Sequence, residues 1–335
     1  MKKFIAAAIW ILILFIWCGA SSADPKKISL IIDGDPVNND YNASCIEGID
    51  YAQKRFLRKI VTKVYNGGDR KSAETRANVL EAAAQWSDIV IFNGTEFSDL
   101  VAQTAAQYPN VAFVLLDGPV IKAQNIYTVE FRDDEAGFIA GALAARVAKR
   151  QDIDRINPKS NTIGLILGAK TPALDKFRVG YIAGAWYINK NIKVMLDYVG
   201  NFEDAAKARE IALRMRNQGA HVIFAPAGGA GLGAIAAAKA NDYWVIGVDV
   251  EQEVKYSDAV LTSAVKRTGQ AIVRIIERII AGEKIDKNYF SLGMAEQCID
   301  LSTWTREAKR NLPPDVRDEM DEISDRLEKK LIIIK

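Results

Sequence analysis

Short β-branched apolar runs alternate with longer amphipathic stretches along nearly all of this chain, and the series begins twice. Residues 28–32 read as a fully buried strand. Residues 42–58 read as a helix, with Ile46, Ile49, Tyr51, Ala52 and Phe56 near helical spacing. Strands are expected at 61–65, 89–92, 111–116 and 126–129, with helices at 72–86 and 95–107. A second series follows: helix 133–149, strand 162–167, helix 171–188, strand 192–198, helix 203–218, strand 222–226, helix 232–240 and strand 244–249. Strand 259–265, helix 270–281 and a last strand at 293–301 precede a charged amphipathic helix at 313–335. Strands alternating with helices imply parallel sheets covered on both faces. Two such series imply two similar α/β lobes, and 335 residues suffice for two domains. The expected division is 24–128 with 267–284 for the first lobe, and 129–266 with 285–335 for the second.

The N-terminus does not belong to this pattern. Lys2 and Lys3 precede an apolar run from Phe4 to Trp17, and a small, polar stretch leads to Asp24. That is the layout of a signal peptide over residues 1–23. The run is shorter than the roughly 20 residues a membrane-spanning helix needs. The expectation is an exported, periplasmic protein. Cys18 offers a second outcome, a lipid anchor, although Trp17 stands where a small residue usually precedes a lipidated cysteine. Loss of Lys2 and Lys3 leaves basic and acidic residues equal at 42 each. Such a chain has no global positive field for nucleic acid. Cys45 and Cys298 remain, and their sequence separation leaves both a disulfide and two separate thiols open.

Ligands of open parallel sheets bind at the carboxyl ends of the strands. Polar, glycine- and aromatic-bearing loops recur there. Asp33, Tyr41 and Asn42 follow the first strand, and Gly94 and Phe97 the third. Asp117 follows the fourth. Gly228 and Gly229 follow residues 222–226, and Asp249 ends its own strand. Each also has an ordinary explanation. Asp33 and Asp117 would serve as helix caps, the glycines would permit a tight turn, and Tyr41 and Phe97 would fill a core. Their joint occurrence at one edge points to a binding cleft. The loop from Gly228 to Gly233 lacks the Lys-Ser/Thr of a phosphate loop. The only histidine, His221, opens a buried strand. No metal-ligand spacing and no Gly-x-Ser-x-Gly elbow occurs. Nothing here calls for a cofactor. The alternatives to a binding cleft for a ring-bearing small molecule such as a nucleoside are a cleft for another ring-bearing molecule and an exported nucleoside- or sugar-acting enzyme with Asp33, Asp117 or Asp249 as catalytic carboxylates.

Several ordered motifs resemble one family. Asp33, Tyr41, Asn42, Glu47 and Gly48 fit its first loop and helix. Tyr108-Pro109-Asn110-Val111, Asp117-Gly118, Asn125 and Phe131-Arg132-Asp133-Asp134-Glu135-Ala136-Gly137 follow in its order. So do Asp175-Lys176-Phe177, Gly180, Tyr198-Val199-Gly200, the Ala227–Gly233 loop, Trp244 to Asp249, and Leu261-Thr262-Ser263 with Lys266. From residue 28 to about residue 301 the chain resembles the basic membrane protein family of bacterial ABC-transporter binding proteins, which includes purine-nucleoside-binding lipoproteins. The resemblance implies a type I periplasmic-binding-protein fold, with two doubly wound parallel-sheet lobes joined by a multi-strand hinge. It implies a monomeric, non-enzymatic receptor for a nucleoside-like small molecule, working with an inner-membrane ABC permease and no nucleic acid. Tyr41 would stack on the base, and Asn42 and Asp117 would bond its edge. Asp249 and Lys266 would hold the ribose hydroxyls, with Gly228 and Gly229 alongside the sugar. Tyr41 stands where the family carries Phe, Asp40 where it carries Ser, and Val250-Glu251 where Ser-Asp is frequent.

Overall fold

The computed structural model describes residues 24–32, 34, 36–37, 39–67, 72–93, 97–283 and 288–334. Strands β1 (Lys26–Ile32), β2 (Ile60–Asn66), β3 (Ile89–Asn93), β4 (Ala112–Leu116) and β5 (Ile126–Phe131) form the first series. Helices α1 (Asp40–Arg55), α2 (Ala73–Trp86) and α3 (Ser98–Gln107) lie between them. Helix α4 (Asp133–Val147) leads to β6 (Thr162–Leu167), α5 (Pro172–Ile188), β7 (Lys193–Tyr198), α6 (Ala205–Asn217) and β8 (Ala220–Phe224). Then come α7 (Gly231–Ala238), β9 (Trp244–Asp249), α8 (Gln252–Lys255), β10 (Val260–Lys266) and α9 (Thr268–Ile280). The chain closes with β11 (Tyr289–Leu292), β12 (Ile299–Leu301), α10 (Arg306–Asn311) and α11 (Pro314–Glu328).

Local chemistry explains these elements. Residues 28–32 of β1 are all buried, as a central parallel strand requires, and β1 pairs with β2 and β3 on either side. Asn39 caps α1 by accepting from Asn42 N, and Thr171 caps α5 with Pro172 just inside. The two six-stranded sheets have matching orders, β11-β5-β4-β3-β1-β2 and β12-β10-β9-β8-β6-β7. Each strand of one lobe thus has a counterpart in the other: β4 corresponds to β9, and β5 to β10. The chain crosses between lobes after β5, after β10 and between β11 and β12.

Two expectations about the last third require correction. The single strand at 293–301 is instead a turn flanked by two strands in different sheets. β11 runs parallel to β5 in the first sheet, and β12 runs antiparallel to β10 in the second. Segment 285–335 therefore also supplies an edge of the first sheet, and a boundary at 128/129 falls inside β5. Both strands are short and β11 is half-exposed, so pairing rather than local pattern decides where they go. The helix at 313–335 is shorter than expected. It starts at Pro314, ends at Glu328, and buries Val316, Met320, Ile323 and Leu327, packing against α4.

Candidate functional site

The last residue of β10, Lys266, organises the site. Its strand is buried throughout, and the side chain emerges between the lobes with 5% of its surface exposed. The ammonium lies 2.6 Å from Asp117 Oδ2 and 3.0 Å from Asp133 Oδ1. It also faces the rings of Phe131, Tyr41 and Phe177, with centroids at 4.7, 5.4 and 5.9 Å. Asp117 follows β4, Asp133 opens α4, and Tyr41 lies in the first turn of α1. Two lobes and the crossover between them therefore converge on one cation. Asp117 and its counterpart Asp249 both adopt left-handed backbone, with φ of 55° and 68°. This conformation is uncommon for a side chain with a Cβ and is concentrated at functional positions.

The electrostatics follow from burial. Desolvation pushes the Lys266 ammonium down, but Asp117, Asp133 and Asp249 outweigh it and hold the group above its ordinary value. Burial pushes the Asp133 carboxyl well up, to about 8; Lys266 opposes this and Asp117 adds to it. Burial likewise lifts Asp249 to about 6, against Lys266 and with help from Asp40 and Asp117. The Tyr41 hydroxyl is raised well above a free phenol by burial, then by Asp117. Among the described residues buried Asp117 Oδ1 and Asp133 Oδ2 have no close hydrogen-bond partner, and the Tyr41 hydroxyl has only the Asp117 carboxylate near it. Each buried polar group left in this way costs about 1–3 kcal/mol. Near neutral pH the site thus offers Asp117 as an acceptor and the Tyr41 hydroxyl and the raised Asp133 carboxyl as donors, and it suits a neutral molecule that both donates and accepts.

The second lobe closes over this group. Gly228 has φ +55°, and Ala230 N donates to Phe202 O at 2.9 Å. A Cβ on Gly228 would stand 3.3 Å from Phe202 Cβ, so the glycine loop and the Phe202 loop after β7 lie side by side. Gly34 of the first lobe lies close to Glu203. Gln252 Nε2 donates to Asp40 Oδ2 at 2.7 Å, and Lys176 of α5 pairs with Glu130 of β5.

Of the residues expected from sequence, the structure brings Tyr41, Asp117 and Lys266 together, and places Asp249 within electrostatic reach of them. Asn42 is fully buried beside Tyr41 in α1. Gly228 and Gly229 form a single turn of 3-10 helix after β8. Phe97 is elsewhere. It is fully buried in the first lobe's own core, 5.6 Å from Phe92 and clustered with Leu80, Val101 and Phe113. Asp33, the signal peptide at 1–23 and Cys18 lie outside the described residues. Asp133, Phe131, Phe177, Phe202 and Gln252 were not anticipated. Phe202 carried a usable signal, since it is an aromatic in a Gly-Asn-bearing loop after a strand, as Tyr41 is. Cys45 and Cys298 are separate buried thiols, and burial raises Cys45 to about 12. His221 Nδ1 lies 2.6 Å from Arg155 O, a structural role. Among the described residues no His, Cys, Asp and Glu cluster could hold a metal ion, and no helix is long and apolar enough to cross a membrane.

Comparison with known proteins gives a consistent result. The family described as ABC transporter substrate-binding protein, PnrA-like, matches residues 25–335. Basic membrane protein A of Borreliella burgdorferi is 31% identical over 282 residues, covering 81% of this chain and 78% of that one. The ABC transporter nucleoside-binding protein BmpA of Lactococcus lactis subsp. cremoris is 30% identical over 276 residues, covering 77% and 76%. The crystal structure of an ABC transporter solute-binding protein from Aeropyrum pernix K1 superimposes with a TM-score of 0.76 at 20% identity. That match covers 93% of this chain and 94% of the other. It supports the type I periplasmic-binding fold.

Proposed function

The chain belongs to the PnrA-like family of ABC transporter substrate-binding proteins, and from that premise we propose that it captures a nucleoside, purine favoured, between its lobes. Membership makes it an extracytoplasmic receptor that serves a permease. The ligand is the further step. The observation that carries it is the set of buried, incompletely satisfied polar groups around Lys266, together with the Tyr41 ring. A purine base offers a face for Tyr41 and ring or amino N–H groups for Asp117. Ribose hydroxyls both donate and accept, which suits Asp249 beside Lys266. Asn42 adds a second polar group at the base edge, and the Gly228–Gly229 backbone lines the sugar. The Lactococcus relative, named as a nucleoside-binding protein, points to the same ligand class. Closure of the lobes removes water from these contacts and creates the shape that a permease reads. The protein works as a monomer after removal of residues 1–23, or is held to the membrane through Cys18.

A thermal-shift screen of the protein from Asp24 onward tests this. Nucleosides, free bases, sugars and amino acids form the panel. A ligand at a hundredfold excess over Kd stabilises the native state by about 2.7 kcal/mol. The expected result is a shift with purine nucleosides that D249A abolishes. A shift confined to sugars or amino acids would replace the ligand, and turnover of a nucleoside would replace the receptor.

A further inference from the structure

The second-lobe helix α8 presents one side chain to the first lobe in a fixed posture. Gln252 has 6% of its surface exposed. Its Oε1 accepts from Val248 N at 3.1 Å, and its own N–H donates to Ser263 Oγ at 3.0 Å. Gly247 leaves the room, since a Cβ there would stand 3.0 Å from Gln252 Cβ and Oε1. The next residue, Glu253, is fully buried and accepts hydroxyls from Ser263 at 2.6 Å, Thr305 at 3.2 Å and Ser302. These bonds lie within the second lobe or reach its C-terminal segment, so α8 is held without help from the first lobe. One donor remains, the Gln252 Nε2 group. It is used across the cleft, on Asp40 Oδ2 at 2.7 Å. Asp40 is the first residue of α1 and immediately precedes Tyr41.

We propose that Gln252 is the closure latch of this protein: a positioning residue that touches Asp40 rather than the ligand and holds α1, with Tyr41, over an occupied cleft. Gln252 and Asp40 come together only when the lobes do, so the bond stabilises the closed form alone. It therefore slows ligand escape far more than it alters entry. In Q252E the donor becomes a carboxylate facing Asp40 and near Asp249, and the bond turns into repulsion. In the D40N/Q252E pair the amide and carboxylate exchange places, and donor and acceptor match again at unchanged net charge.

The inference rests on the binding reading, and two measurements separate them. Stopped-flow kinetics with the best nucleoside of the panel reads the latch in the occupied protein. Q252E should raise the dissociation rate about tenfold with little change in association, and D40N/Q252E should restore most of it. Small-angle scattering of the ligand-free proteins reads it without ligand. Q252E should increase the radius of gyration, and the double variant should reverse the increase. If no nucleoside binds the wild type, the functional reading fails and scattering still decides the latch. Unchanged dissociation and unchanged scattering in Q252E, or a double variant no better than Q252E, overturns the latch.

Discussion

The two lobes share one topology but hold their crossover helices differently. In the second lobe α4 and α5 meet along a glycine seam. A Cβ on Gly137, Gly141, Gly180 or Gly184 would run into backbone of the facing helix. The counterpart pair in the first lobe, α1 and α9, touches this closely at Gly48 and Gly269 only. Beside that point a groove of about 730 Å³ opens, bordered by Tyr51, Arg55, Val273, Arg274 and Glu277 and reaching Asp249 and Lys266 at the cleft. The strand ends differ too. β5 ends in Phe131 and β10 in Lys266, and each is followed by an arginine before its helix. The second lobe therefore supplies both the more rigid frame and the cation. The first lobe supplies the Tyr41 ring, on a helix with more room to adjust. Pseudo-symmetry builds the cleft, and departures from it make the two sides chemically complementary.

The largest expected effect comes from removing the cation. K266M leaves Asp117, Asp133 and Asp249 buried without their partner, and breaking a buried pair costs about 3–5 kcal/mol. Urea denaturation at pH 7 measures it. The deficit should shrink toward pH 5, because Asp249, raised to about 6, takes up its proton across that range and loses its unpaired charge, while Asp133, raised to about 8, is already mostly protonated at pH 7. A pH-independent deficit would argue against electrostatics. The seam comes next. Forcing a methyl into packed backbone costs about 1–3 kcal/mol, and G141A should cost more than G48A, whose helix has a groove beside it. Equal costs would remove the distinction between the helix pairs. The smallest effect concerns Asp249. Its folded pKa of about 6 lies above its ordinary 3.8, so the folded state loses stability as pH rises from about 4 to about 6. D249N cannot titrate. Ligand-free D249N should match wild type near pH 4, gain in Tm up to pH 6 and hold that gain above it. A gap that widens toward acid would contradict the sign.

Much of this was legible beforehand. Buried parallel strands write continuous apolar runs, so residues 28–32, 162–167 and 244–249 announced themselves, and the longer helices before α11 fell within a few residues of their observed ends, whereas α11 stops short and the short α8 and α10 went unread. The edge strands did not. β11 and β12 are short, half-exposed or both, and their choice of sheet depends on partners far away in sequence. The site was partly legible for a similar reason. Tyr41, Asp117, Asp249 and Lys266 carry recognisable motifs at strand ends. Asp133 reads as an ordinary acid in a helix's first turn, and Phe177 as a core aromatic of α5. Only three-dimensional convergence on Lys266 gives them a role. Phe97 errs the other way, because its loop position matches that of Tyr41 while its ring turns into the first lobe's own core.

The most direct test of the central claim is a crystal structure of the protein with its best-binding purine nucleoside. The account predicts the base against Tyr41 with a ring or amino N–H on Asp117 Oδ1, and the ribose hydroxyls at Asp249 and Lys266. A nucleoside at the outer end of the α1–α9 groove, against Tyr51 and Glu277, or one between the lobes that leaves Asp117 Oδ1 and Lys266 untouched, would contradict it.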